Sequence, residues 1–505
     1  MKSIFFLFLV ASLALSSAQV SLRLASLFTD HMVLQQDLPV PVWGWADAGA
    51  EVTVIFKGKV KKVKADGDGV WHVELEPLEG TFESAEMEVT SSSGERVILR
   101  DVVVGEVWIC SGQSNMHFSY RSVPELKPLA SKAEHIRSFE VGQTVAFEEQ
   151  DECKGKWKQK IPNSAVGFGF AYYLQEQAKA PVGIILSAWG SSSIEAWMPR
   201  DMVETVPHFN TIMAEFDADD ETRKKLEASL NGPKPWSRPE DIFMRRQPNI
   251  LYNAMMKPLA PVACRGVVWY QGERNTQSME GMLKEPWFSR NSGMRLYADT
   301  LKKWIQRYRQ EWGREDLEFM IVMLPRCFGK PLPTGPQKGA EHPTTHSWAW
   351  IRESQLSALD LPHTAVVNTI DLGDLKNLHP RDKEPIGKRL ALLASKNVLG
   401  KEVVAQGPVS KEVLVKGDAL VISFENAEGL KTTDGKSPAA FWLADDDENW
   451  VQAEAQIEDE TVVLRSDELE EPRYIRYAFA GFPQVNLVNG SGLPAYPFRT
   501  DQFQP

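Results

Sequence analysis

Val102-Val103-Val104-Gly105-Glu106-Val107-Trp108-Ile109-Cys110-Ser111-Gly112-Gln113-Ser114-Asn115-Met116 runs from an apolar strand straight into a polar turn. Branched and aromatic side chains suit a pleated surface, so Val102–Ile109 predicts a buried strand. Gly112 allows a tight turn that presents Ser114 at the strand tip. Taken alone, the Ser/Asn pair reads as well as a helix cap or a turn.

The rest of the central chain repeats the pattern. Val182–Ser187, Gly266–Tyr270, Glu318–Met323 and Thr364–Thr369 are further strand candidates. Between them, Phe168–Ala178 and Tyr297–Trp312 carry apolar residues at three- and four-residue spacing, the mark of one helix face. Alternating strands and helices predict an α/β domain: a parallel sheet covered by helices on both faces. Ligands of such sheets bind beyond the carboxyl ends of the strands. Polar sequences stand at those ends here. Ala188-Trp189-Gly190-Ser191 follows the second strand, and Gln271-Gly272-Glu273-Arg274-Asn275 follows the third. Asp371-Leu372-Gly373-Asp374-Leu375-Lys376-Asn377-Leu378-His379-Pro380-Arg381-Asp382 follows the last. A Gly after a strand is commonly just a turn, and a lone His is more often structural than catalytic. Together, however, these ends supply a hydroxyl (Ser114), a base (His379) and donors for an oxyanion (the Ser114 N–H, Gly190, Gln271, Asn275). That is the minimum for acyl transfer through a tetrahedral intermediate.

Outside this core the character changes. Residues 19–100 hold short β-rich runs, Val40–Trp45, Val52–Phe56 and Trp71–Leu75, separated by turn formers, and predict an N-terminal β-sandwich. Pro41 confines its strand to an edge. The α/β domain is expected over 101–400. Its segment 204–250, polar and broken by Pro233, Pro235 and Pro239, reads as an excursion from the sheet, and 328–346 as a long surface loop. β character returns over 401–505, in Ala419–Phe424, Ala440–Ala444, Thr461–Leu464 and Tyr474–Phe479.

Met1-Lys2, the apolar run Ile4–Leu15 and the small residues Ser16-Ser17-Ala18 have the layout of a cleavable secretory signal spanning 1–18. Its apolar run is too short to span a bilayer comfortably. Export to a periplasm or the extracellular space is therefore expected, with no membrane attachment after cleavage. A net charge of −12 offers no basic excess to neutralise phosphates, which argues against nucleic acid or an anionic membrane as partner. The chain carries 16 Trp, whose flat faces can stack on sugar rings as well as fill a core. Cys110, Cys153, Cys264 and Cys327 have neither metal nor redox spacing, and no essential disulfide is expected. His342 and His346 have i,i+4 spacing, but Pro343 argues against a helical zinc site. No metal or other cofactor is called for.

Ser111-Gly112-Gln113-Ser114-Asn115-Met116, Trp269-Tyr270-Gln271-Gly272-Glu273-Arg274-Asn275 and the His379-Pro380 block, in this order, resemble the sialate O-acetylesterase family within the SGNH (GDSL-like) hydrolases. The resemblance extends to Leu34-Gln35-Gln36, to Trp348–Gln355 and to Gly492–Arg499, and so covers almost the whole chain after residue 18. It implies an SGNH-type, flavodoxin-like sheet. It also implies Ser114 as nucleophile and His379 as general base. The oxyanion hole would draw on the Ser114 and Gly190 N–H groups and an amide of Asn275 or Gln271. The implied activity is hydrolysis of O-acetyl esters on sugars, sialic acid favoured, through an acetyl-serine. Alternatives are an acetylxylan-type polysaccharide esterase and a catalytically silent glycan-binding protein. A lipase or thioesterase would want a long apolar groove, which these polar, Trp-rich segments do not suggest. One position departs from the pattern: Lys376 stands where the superfamily usually carries Asp, three residues before the histidine. Lysine cannot accept the imidazole N–H. Either Asp374, Asp371 or a backbone carbonyl orients His379, with Asp374 favoured, or the pair works as a Ser–His dyad.

Overall fold

In the computed structural model of the protein, residues 21–277, 293–327, 339–344 and 347–504 are described. The expected secretory signal lies outside them, as do most of the 328–346 loop and His346. A sheet with six parallel strands dominates. Its order is β10 (Trp157–Lys158), β9 (Ile136–Glu140), β11 (Val182–Ala188), β8 (Arg96–Gly112), β12 (Gly266–Tyr270), β13 (Glu318–Val322) and β14 (Thr364–Val367), with β10 alone antiparallel. The five strands expected from the sequence are β8, β11, β12, β13 and β14, and they lie in the order second, first, third, fourth, fifth. The sixth parallel strand, β9, carries Arg137, Ser138 and Glu140 among its five residues, which hid it from a hydropathy reading.

Helices cover both faces. In register, Trp108 lies opposite Gly266, so Trp269, three residues on, points to the other side. Trp108 meets Phe170 of α2 (Ala165–Ala178) edge-on, and α2 crosses α8 (Glu384–Asn397) where Gly169 touches Gly387. A methyl group on Gly387 would lie 2.6 Å from the Gly169 carbonyl carbon, so the crossing requires glycine. Trp269 stacks obliquely on Trp304 of α6 (Gly293–Glu311), beside α7 (Ser347–Leu356).

The flanking segments are β-rich. β1 (Arg23–Leu24), β3 (Val40–Trp45) and β6 (Val70–Leu75) form a three-stranded antiparallel sheet. Pro41 sits where β3 is paired only to β6, because β1 reaches no further than Gly44 and Trp45, so its missing N–H leaves no partner unsatisfied. β4 (Glu51–Phe56), β5 (Lys59–Lys64) and β7 (Thr81–Ser91) form a second sheet that ends on β8, and β2 (Val33–Gln35) runs parallel to β8. β8 is 17 residues long and belongs to both this sheet and the parallel one. Residue 100, the expected boundary, therefore falls within a continuous strand, kinked at Asp101 with φ 56°.

Buried polar clamps tie these segments to the sheet. Gln35 accepts from the Val107 N–H, and Glu106 pairs with Arg265 at 2.8 Å. At the other end Arg352, fully buried, donates to the carbonyls of Leu324, Ala480 and Gly481. Asn368 holds the carbonyls of Pro494 and Ala495, and the Tyr496 hydroxyl donates to Val366. The motifs Leu34-Gln35-Gln36, Trp348–Gln355 and Gly492–Arg499 thus supply joints between layers. All four cysteines are buried, unpaired thiols. Among the described residues no helix is long and apolar enough to cross a membrane.

Candidate active site

β8 ends at Gly112, where φ is +134° and a side chain would clash with the Tyr270 carbonyl at 2.2 Å. Only glycine fits this close approach. The chain turns there, Gln113 donates to Tyr270, and α1 (Ser114–His117) opens with Ser114 as its first residue. On the neighbouring strand end, Trp189 donates to the Gly112 carbonyl, which lays Gly190 directly against Ser114. A methyl group at Gly190 would sit 3.1 Å from Ser114 Cβ. No described group accepts from the N–H of Ser114 or of Gly190.

The loop after β14 brings His379 across the same sheet edge. Its Nε2 lies 2.8 Å from Ser114 Oγ, 265 positions away along the chain. Phe118 lies parallel to the imidazole, 14° between planes. Burial, and then the positive charge of Lys383, hold the imidazole below the usual histidine range.

Asp374 does not reach the ring. It is exposed, and its Oδ1 accepts from the backbone N–H groups of Lys376 and Asn377, both at 2.8 Å. Asn377 then accepts from the His379 N–H at 2.9 Å. The acid is used up in shaping the loop, since a short side chain bonds its own backbone more easily than a distant ring. Asp371 is paired with Arg389 at 2.6 Å, and Asp382 accepts from Gly373. Among the described residues no carboxylate meets the far nitrogen of His379. Lys376 is exposed.

The two amides at the end of β12 also differ from expectation. Gln271 and Asn275 are fully buried and do not line the cavity in front of Ser114. Gln271 donates to Asn275 Oδ1 at 2.8 Å and accepts from the Tyr297 hydroxyl, while Asn275 donates to Glu195 and accepts from the Ile194 N–H. They form a polar joint between the loops after β11 and β12. A side chain that follows a strand by one residue faces whichever layer the pleat gives it, and here that layer is the interior.

The cavity itself encloses about 540 Å³. Ser114, His379, Gly190 and Glu273 line it. A further wall comes from the segment read as an excursion, which folds as α3 (Pro207–Ala218), α4 (Asp220–Asn231) and α5 (Arg238–Met244), with α5 and the two residues after it reaching the cavity. Ser237 caps α5 in a capping box with Glu240, and Pro239 occupies its first turn, where a missing N–H costs nothing. This wall presents Arg238, Arg245 and Arg246, and the β12 loop adds Arg274. Arg245 meets Asp241 at 3.1 Å through one nitrogen, while its buried Nε has no partner. Arg246 donates to the neutral hydroxyl of Ser191. Burial holds Arg245 below the usual guanidinium range, and Arg238 beside it adds to the effect. The indole of Trp189 completes the lining, stacked on Trp236 with 20° between planes. In a chain of net charge −12 the cavity gathers four arginines against two carboxylates, Asp241 and Glu273. Sequence reasoning missed this wall. The pair Arg245-Arg246 inside an otherwise acidic region was the available signal, but nothing in it said which way the segment folds back.

A chain with this geometry has relatives. The sialate O-acetylesterase of Rattus norvegicus is 27% identical, over 97% of this chain and 96% of its own length. That of Homo sapiens is 26% identical, over 95% and 93% respectively. Among solved structures, a carbohydrate acetylesterase from Xanthomonas citri is similar with a TM-score of 0.78 at 31% identity, covering 95% of this chain and 100% of its own. The family model described as carbohydrate esterase, sialic acid-specific acetylesterase matches residues 104–230 and 234–395, which include Ser114, the arginine wall and His379. The chain belongs to this family of sialic acid-specific carbohydrate esterases.

Proposed function

We propose that the chain removes acetyl groups from the hydroxyls of an acidic sugar, sialic acid foremost, with Ser114 as nucleophile and His379 as general base. The 2.8 Å contact between Ser114 Oγ and His379 Nε2 at the floor of the cavity carries this reading. His379 takes the serine proton as Oγ attacks the ester carbonyl carbon. The N–H groups of Ser114 and Gly190 face the oxygen that gains the negative charge. Collapse of the tetrahedral intermediate expels the sugar alkoxide, which takes the proton from His379 and leaves an acetyl-serine. Water, deprotonated by His379, then releases acetate and restores Ser114. With Asp374 turned to its own loop, the pair works as a dyad, and burial and Lys383 keep the ring neutral and so free to accept the serine proton.

The arginine wall favours an acidic sugar over a neutral one, because a guanidinium with an open Nε suits a carboxylate. We further infer an SGNH-type core from the 2-1-3-4-5 order of its five main strands, with β-rich modules before and after it. Met1–Ala18 supports export to a periplasm or the extracellular space.

The test is hydrolysis of p-nitrophenyl acetate by wild type, Ser114→Ala and His379→Ala, followed by O-acetylated sialic acid against an acetylated neutral sugar. Turnover that collapses in both variants, with preference for the acidic sugar, is the expected result. An inactive wild type would move the glycan-binding reading to the front.

A further inference from the structure

The acyl-transfer steps use one buried cation, Lys383, only through its charge. Lys383 is fully buried just before α8, and burial pushes its ammonium down to about 8. Burying a charge is expensive unless it is well engaged, and an apolar side chain of the same size would pack here without that cost. Its Nζ donates to Asn115 Oδ1 at 2.8 Å and lies 3.4 Å from the Tyr270 hydroxyl. Asn115 stands next to Ser114, and its amide nitrogen donates to the carbonyl of Leu378 at 3.1 Å and to Glu273 at 2.5 Å. Leu378 stands next to His379. One amide therefore joins the loop of the serine to the loop of the histidine, and the ammonium on Oδ1 and the Glu273 carboxylate on the nitrogen together fix which way it points, with the nitrogen toward Leu378. A second route runs through Phe118, whose ring lies 5.7 Å from Nζ and parallel to the imidazole.

We propose that Lys383 is a positioning residue. Through Asn115 it holds the Leu378 carbonyl, and so the His379 ring, against Ser114, the orienting task that in related hydrolases falls to a carboxylate on the far ring nitrogen. The inference rests on Ser114 and His379 acting as set out above. The ammonium also acts at a distance. Asp382 on its own loop and the buried Glu273 after β12 face it with negative charge, Tyr270 faces it as a neutral phenol, and His379 feels its positive charge. Removing that charge raises the affinity of His379 for its proton.

The experiment compares full-length Lys383→Met, Asn115→Ala, the double variant and Ser114→Ala on p-nitrophenyl acetate across pH, with thermal melts alongside. Lys383→Met is expected to lower kcat about tenfold to hundredfold with KM little changed, the cost of a small misplacement of the base. Its acidic limb should move to higher pH while the melting temperature stays near wild type, which separates the lost charge from a site opened to water. If lysine works through the amide, the double variant loses no more than the worse single one. An unchanged kcat, or losses that multiply in the double variant with the acidic limb unmoved, overturns the proposal. Should Lys383→Met fail to fold, Asn115→Ala decides on kcat alone, and a wild-type value overturns it. Wild-type activity in Ser114→Ala strikes the underlying acetyl-serine reading, and the proposal falls with it.

Discussion

Two strand ends of the same sheet, those of β8 and β12, look alike in the sequence and do opposite things in the molecule. Each is an apolar run followed by glycine, amides and a polar side chain. At β8 the turn at Gly112 lifts Ser114 into the cavity, and backbone geometry does the work. At β12 the side chains of Gln271 and Asn275 turn inward and join two loops, while Glu273 and Arg274, between them, face the cavity. A polar strand end marks the neighbourhood of a site, but alternation along the chain and the packing of adjacent loops select which residues enter it.

The largest effect that sharpens this contrast is at β8. Ser114→Ala and His379→Ala should each reduce kcat/KM by about 10⁴-fold or more while melting temperature stays near wild type, since a nucleophile and its base fail as a unit. At β12 the balance should reverse. Asn275→Ala removes the acceptor of the buried Ile194 N–H and one donor to the Glu195 carboxylate, so a loss of about 1–3 kcal/mol in denaturant unfolding is expected. If that variant melts like wild type but loses about 10²-fold or more in kcat, the amide is an oxyanion donor after all and the contrast breaks.

Arg245→Gln probes the arginine wall. KM for an O-acetylated acidic sugar should rise about tenfold or more, as for losing a hydrogen bond to a charged group, while p-nitrophenyl acetate is turned over as before. An equal effect on both substrates would remove the carboxylate from the reading. Asp374→Ala should cost less than about tenfold in kcat, far below the roughly 10⁴-fold reported by a true triad acid. A larger loss would show that the aspartate reaches His379 during turnover. The pH profile gives the gentlest check. A base must be neutral to act, and burial lowers the imidazole's proton affinity, so the acidic limb of kcat/KM should fall below the unperturbed histidine value of about 6.5.

Much of the architecture was legible because it depends on local patterns. The five parallel strands are continuous apolar runs, as strands buried on both faces must be, and the helices between them keep one apolar stripe. β9 was invisible because Arg137 and Ser138 are buried with partners, Arg137 against Asp101 and Ser138 on the Lys160 carbonyl, which no hydropathy window detects. β5 was missed for the opposite reason: its Lys-Val-Lys-Lys-Val-Lys run is a solvent-facing strand, half exposed throughout.

By itself, the sequence determined the sheet, the turn at Gly112 and the pairing of a serine with a late histidine, because each rests on backbone preferences or on motifs read along the chain. Tertiary structure alone decided that Asp374 serves its own loop, that Gln271 and Asn275 are buried, that α5 swings arginines over the cavity, and that Lys383 sits beneath the base. Those outcomes depend on which groups the fold brings together, from the two or three positions that separate Asp374 from its partners to the 268 that separate Lys383 from Asn115. A side chain bonds to whatever packing brings within about 3 Å, and its segment alone does not say whether that is its own backbone or a distant group.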